Sequence, residues 1–173
     1  MHHVNKLHKS LEPLKWLVGK WKTIKAEISH PTKPQTLKFT EHMEFLSFGA
    51  PLLVFSSKSN RVKQGGKARH LERGFLSIND DHYTVAFATV ASLTLSTLEE
   101  GYVQDQCLCL KSASIAEKKF SMYPAVRRLH RCYRLNENGE LEYTLLMETA
   151  KTGLSKHADV VYKKVAEGCI EDC

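Results

Sequence analysis

From Trp21 onward, apolar residues return at every second position, and this alternation limits what the chain can become. In TLKFTEHMEF, Leu37, Phe39, Met43 and Phe45 share one face, interrupted by Glu41. HYTVAFATV gives Tyr83, Val85 and Phe87; LTLSTL gives Leu93 and Leu95; ELEYTLLMET gives Leu141, Tyr143, Leu145 and Met147. Period two is the repeat of a strand with one buried and one wet face. INDDHY and NENGEL carry the turn chemistry of tight hairpins, with Asn138-Gly139 the stronger signal. Roughly nine or ten short strands follow, with no crossover helix, internal repeat or low-complexity tract. Hairpin-linked strands favour a closed antiparallel barrel over a sandwich, because closure removes unpaired edges. The expected fold is therefore all-β, an antiparallel barrel of about ten strands, and barrels near this size can enclose a ligand.

One early segment departs from the pattern. NKLHKSLEPLKWLVGKW spaces Leu7, Leu11, Leu14 and Leu17 by three and four, as on a helix face. Pro13 interrupts it, so short helical turns are expected rather than a long helix. Trp16 and Trp21 are expected to pack as a plug. At 173 residues the chain fits one domain, with a barrel over about 11–165 and a tail over 166–173. Its 42% hydrophobic content suffices for a packed core. No apolar run reaches the length of a membrane span, and MHHVNKLHKSLEPLKW lacks the apolar stretch of a secretory signal. The location expected is cytoplasmic, with nuclear entry open to a chain this small. His2 and His3 carry no weight in the fold reasoning.

Five cysteines, Cys107, Cys109, Cys132, Cys169 and Cys173, make an odd count. Cys107 and Cys109 lie two apart on one strand, a poor geometry for bonding each other, and no CxxC or zinc spacing occurs. Reduced thiols are expected, with no intrachain disulfide. The net charge of +6 comes from 25 Lys and Arg spread among 19 acids. The densest cluster, RRLHRCYR, would divide its charge between two faces as a strand, and a solvated basic surface is the expectation. Neither nucleic acid nor membrane is expected as a partner; monomer and homodimer stay open. Gly-x-Ser-x-Gly, phosphate-loop and GxGxxG patterns are missing, so acyl transfer, nucleotide hydrolysis and dinucleotide redox have no support. The acid pairs Asp80-Asp81 and Glu99-Glu100 read as solvated charge in turn-like surroundings.

The segments LEPLKWLVGKW, SHPT, HLERGF, LLMETAKTGLSKH and VVYKKV, in this order, resemble the nitrobindin family. These are haem-binding β-barrels found as the C-terminal domain of a human zinc-finger protein and as free-standing proteins. The similarity runs from about Leu11 to Val165. A lone Gly-x-Trp also occurs in lipocalins and fatty-acid-binding proteins, whose barrels are alike. The ordered set is more specific, above all Met147 ten residues before His157, which opens a strand ending in Tyr162-Lys163-Lys164. The resemblance implies a ten-stranded barrel with b-type haem at one open end. His157 falls on the iron-ligand position and His70 on the second pocket histidine, across the haem. Thr32 stands where a Tyr-Pro-Thr turn contacts the haem, and Met147 where a methionine lines the pocket. It also implies that ferric haem binds nitric oxide and isomerises peroxynitrite to nitrate, with His70 in the catalytic role. Thr23 and Lys25 replace glycines that many members carry after Gly19 and Trp21, and Arg69 precedes His70 where many have Met. The human relative's zinc finger has no counterpart here, so its DNA-binding role does not carry over.

Imidazole suits haem iron because one nitrogen is a neutral donor while the other N–H can be fixed by an acceptor. Alternation alone leaves the direction of His157 open. Ala158, Val160 and Tyr162 form one face, so His157 would share the other with Asp159 and Val161. An inward ring requires a bulge at the strand's start or a place on the rim. His70 shares its face with Glu72, Gly74, Leu76 and Ile78. Iron ligation by both histidines would close the sixth position, so His70 is expected to be distal and non-bonding. Two rivals have other chemistry. A carrier of fatty acid or another apolar ligand would need an inward cationic pair, Arg128 with Arg131 or Arg134. An interaction module would have a filled interior.

Overall fold

The computed structural model describes residues 7–61, 69–92, 95–120 and 122–166. Ten strands follow one 3-10 helix: β1 (Gly19–His30), β2 (Lys33–Ser47), β3 (Leu52–Arg61), β4 (Arg69–Ile78) and β5 (Thr84–Ala91), then β6 (Leu95–Gln104), β7 (Cys107–Glu117), β8 (Val126–Leu135), β9 (Leu141–Thr149) and β10 (Thr152–Lys164). Each pairs antiparallel with its sequence neighbours, and β1 closes the ring against β10. The period-two reading thus holds, and the fold is a closed ten-stranded antiparallel barrel. The expected inward residues Met43, Phe45, Val85, Phe87, Leu141 and Tyr143 are buried. Tyr83 is exposed instead, stacked on Tyr102 outside, and Leu93 lies outside the described residues.

The hairpin NENGEL turns around Asn136, whose Oδ1 accepts from the backbone N–H of Asn138 and of Glu140. Gly139 alone takes positive φ there, 74°, so the Asn-Gly pair sits in a longer turn with one left-handed residue rather than a two-residue loop with two. In INDDHY, Asp81 accepts from the N–H groups of Tyr83 and Thr84.

Lys9–Leu17 is a 3-10 helix. Three residues per turn bring positions three apart into line, so Leu11, Leu14 and Leu17 form one fully buried row against the barrel end. Pro13 sits within this tighter helix, which explains why no α-helix forms. Trp21 is buried beside the row and donates its indole N–H to the Leu17 carbonyl at 2.8 Å. Trp16 donates likewise to the Pro13 carbonyl. Both act as plug packing.

The interior has two ends. Beside the helix, inward residues are fully buried, among them Phe45, Leu53, Phe55, Leu76 and Leu108. At the far end, where β1 turns into β2 and β9 into β10, the inward-facing Leu37, Phe39, His70, Leu145 and Met147 are only half-buried. Among the described residues the barrel is plugged at one end and open at the other.

Candidate functional site

Two irregularities shape the open end. On β10, Lys156 pairs with Leu146 and Ala158 with Leu145, which leaves His157 as an extra residue in a bulge. On β1, Thr23 pairs with Tyr162 and Lys25 with Val161, which leaves Ile24 as another. A bulge shifts alternation by one position. Trp21 therefore faces inward with Ala26, Ile28 and His30 rather than with the odd-numbered residues beyond it. Thr23 and Lys25, at the lost glycine positions, flank this second bulge, and the Thr23 Oγ1 accepts from the Glu41 N–H.

The bulges bring His30 and His157 together, their ring centroids 5.2 Å apart and edge to face. The His157 ring is half-buried and donates a hydrogen bond to the Ser29 backbone. Burial, then the neighbouring His30, and less strongly His70, lower its pKa to about 4, while the Ser29 bond opposes the shift. At neutral pH the imidazole is uncharged, with one nitrogen committed as donor and the other free to donate its lone pair. Burial, Lys33 and Arg61 hold the pKa of His30 down as well.

His70 faces inward on β4, two residues above Glu72, with three strands between it and β10. Its electrostatic effect on His157 therefore runs across the mouth, not along the sheet. Met147 faces inward on β9, flanked by Leu129 on β8 and Ser155 on β10. Thr32 is exposed in the β1–β2 turn, two residues beyond His30. The structure thus gathers His70, Met147 and His157 around one opening and sets Thr32 at its rim. The side chain of Arg69 lies outside the description.

Below the mouth lies a buried polar layer. The Arg131 guanidinium is forked between Glu99, at 3.0 and 3.1 Å, and Glu72, at 2.9 and 3.4 Å. Thr97 Oγ1 donates to Glu99 and lies 3.0 Å from Thr89 Oγ1. Burial raises the Glu72 pKa, but Arg131 outweighs it and holds the carboxyl below its usual range. Glu41, hydrogen-bonded to the Tyr162 hydroxyl, is driven upward by burial. This layer corrects two expectations. Glu99 is not solvated turn charge but a fully buried strand residue, and Arg131 leaves the basic exterior for the core. Arg128 and Arg134 do share a face, the outer one, where they pair with Glu148 and Glu142.

Sequence reasoning missed His30, although it stands in the quoted SHPT, because only the β1 bulge turns it inward. Two concavities, of about 440 and 460 Å³, lie elsewhere, one under the 3-10 helix and one beside the β7–β8 connection. Both are shallow and rimmed by charged side chains, so the converging histidines mark the better site.

The family model described as "THAP4-like, heme-binding beta-barrel domain" matches residues 10–164. The chain belongs to that family. The rat (Rattus norvegicus) protein named peroxynitrite isomerase THAP4 is 33% identical over 164 residues, covering 95% of this chain and 29% of its own length. The human (Homo sapiens) protein of that name is 34% identical, covering 92% of this chain and 28% of its own. The chain thus spans under a third of the length of these curated relatives. The crystal structure of Rv2717c from M. tuberculosis superposes with a TM-score of 0.80 at 24% identity, over 93% of this chain and all of that one, and supports the fold alone. THAP4-like barrels are haem-binding by their family description, and the donor set fits that group: a neutral imidazole with a fixed second nitrogen, in an open apolar mouth.

Proposed function

We propose that this barrel holds haem b through His157, as the only protein ligand to a ferric iron, and isomerises peroxynitrite to nitrate. The observation that carries this reading is the His157 ring, bulged into an open mouth, neutral, and held by Ser29. When bound, the cofactor would supply a Lewis-acidic iron able to take peroxynitrite or nitric oxide. Isomerisation consumes no co-substrate and moves no net electrons, which suits a site that needs only shape, a donor and limited escape.

The residues divide the work. Ser29 fixes the orientation of His157, and the edge of His30 steadies the ring from the side. His70, across the mouth from His157, would hydrogen-bond an anion or a water held there and steer it. Met147 and Leu145 present an apolar wall that excludes water, and Thr32 offers a hydroxyl at the rim. The Glu72–Arg131–Glu99 layer forms a rigid floor. Cytoplasmic residence fits the three half-buried free thiols, Cys107, Cys109 and Cys132.

The fatty-acid carrier has less support. Among the described residues Arg131 is the arginine that enters the barrel core, and two carboxylates already hold it. A third carboxylate there would meet repulsion.

Titration with ferric haem tests the proposal. An outer-sphere partner of a metal ligand is worth about 10- to 100-fold in affinity, so His157→Leu, which removes the ligand itself, should weaken haem binding by at least about 100-fold with the fold intact. His70→Leu should keep haem, alter its sixth-position spectrum and slow peroxynitrite decay by about 10- to 100-fold, the scale of one lost hydrogen bond to an anion. An unchanged ferric spectrum in His157→Leu would refute the ligand assignment.

A further inference from the structure

Cys107, Cys109 and Cys132 take no part in the site above. Alternation on β7 sends Leu108 and Leu110 into the core, so Cys107 and Cys109 face outward. Cys132 does the same on β8, between buried Arg131 and Tyr133. The register sets Cys109 opposite Cys132 and Cys107 opposite Arg134. All three sulfurs lie within 4.8 Å of one another, with Cys107 Sγ 3.7 Å from Cys109 Sγ and 3.9 Å from Cys132 Sγ. Tyr102, paired with Cys109 across β6 and stacked on Tyr83, borders the cluster on one side. Arg134, held by Glu142, borders it on the other.

We propose that Cys107, Cys109 and Cys132 form a trigonal thiolate site for a soft monovalent metal ion, Cu(I). A metal–sulfur bond of about 2.3 Å separates sulfurs by about 3.8 Å at tetrahedral angles and about 4.0 Å in a trigonal plane. The observed separations need only small side-chain adjustment to reach either. Ligand number decides between them. Among the described residues no fourth His, Cys, Asp or Glu joins the group, whereas structural zinc takes four protein ligands. Three soft donors without a fourth suit Cu(I). The Arg134 guanidinium offsets part of the negative charge that three thiolates bring.

Burial pushes the Cys107 and Cys132 thiols up. These two thiols are therefore protonated at neutral pH in the metal-free protein and poor nucleophiles, which argues against a peroxide-sensing role for them. On binding, three S–H bonds break, three Cu–S bonds form, three protons pass to solvent, and copper stays monovalent. Affinity should fall on acidification.

The test is an anaerobic titration of the haem-free full chain with Cu(I) against a chromophoric Cu(I) chelator, with X-ray absorption on the product. One tight ion per chain is expected, with sulfur as its sole neighbour at about 2.3 Å. Loss of an outer partner already costs a metal site about 10- to 100-fold, so Cys109→Ser and Cys132→Ser should each lower affinity by at least about 100-fold. The two variants give independent readings should one fail to fold by circular dichroism. A Cys169→Ser/Cys173→Ser double variant, altered only in the tail, and His157→Leu should both bind as the parent does. Binding that survives Cys132→Ser but not the tail double variant overturns the proposal. So does a nitrogen-dominated absorption spectrum, or displacement of Cu(I) by an equal concentration of Zn(II).

Discussion

The two ends of the barrel are made from the same ten strands with the same alternation, and they differ in what fills them. At the plugged end the Leu11–Leu14–Leu17 row and Trp21 seal an aromatic core in which Phe45, Phe55 and Phe87 meet edge to face or tilted. At the open end no row of apolar side chains among the described residues covers the inward ones, and two bulges replace regular pairing. Regular strands build the container, and the departures from regularity place the chemistry. Burial at one end maximises apolar contact, whereas at the other it is stopped half-way, enough to keep an imidazole neutral without closing the entrance.

The Glu72–Arg131–Glu99 layer divides these two environments, and breaking it should have the largest effect on stability. Arg131→Met leaves two acids buried without their cation, which costs about 3–5 kcal/mol in comparable pairs. The shift in urea midpoint at constant m-value measures it. Adding Glu72→Leu and Glu99→Leu should recover much of the loss, since buried ion pairs replaced whole by apolar groups are often neutral. A loss under about 1 kcal/mol for Arg131→Met would mean that water already reaches the layer, so that the mouth runs deeper than the histidines.

The plug gives the next effect. Leu14 is fully buried, and Leu14→Ala removes its packing at an expected cost of about 2–5 kcal/mol. Haem affinity should be unchanged, because the altered site lies beyond the charged layer. His157→Leu has the opposite signature, losing haem with little effect on folding. Should Leu14→Ala also weaken haem binding, the two ends are coupled and the layer does not insulate them.

These contrasts also explain how much could be read from sequence. Alternation is a local signal, and Leu37 to Phe45 or Leu141 to Met147 report their inner face without knowledge of their neighbours. The plug was half legible: spacings of three and four fit several helices, and Pro13 turned out to be compatible with the 3-10 form that lines up Leu11, Leu14 and Leu17. The family resemblance pointed to His70, Met147 and His157, whereas periodicity by itself left the direction of His157 open. Only the register of β10 against β9 shows the extra residue. Glu99 and Arg131 were misread for a related reason. Each is an ordinary surface residue in its own segment and becomes a core residue only when β4, β6 and β8 bring opposite charges to one level. The Cys109–Cys132 pairing was hidden likewise, since the two are far apart in sequence and directly opposite in the β7–β8 register.

The smallest expected effect concerns pH, and it probes how closed the open end is. Without haem, His157 has a folded-state pKa of about 4 against an ordinary value of 6.5. Above pH 6.5 neither state is protonated at this ring, and its neutral burial is fully tolerated. As pH falls from 6.5 toward 4, the unfolded chain takes up a proton that the folded chain refuses, so stability declines across that window. The full shift corresponds to about 3 kcal/mol, and solvent at the mouth should reduce the observed change to about 1–2 kcal/mol. Glu72, with its pKa lowered from 4.5, loses its stabilisation at still lower pH, whereas Glu41, raised by burial, contributes with the opposite sign as pH falls. His30 contributes with the same sign as His157. His157→Leu should therefore flatten, but not abolish, the decline in urea midpoint between pH 6.5 and 5 for the haem-free protein. An unaltered slope would mean that the ring stands in water in the free protein. The mouth would then acquire its shape only when the cofactor enters, and His157 would be recruited to the site rather than held there by Ser29 and His30.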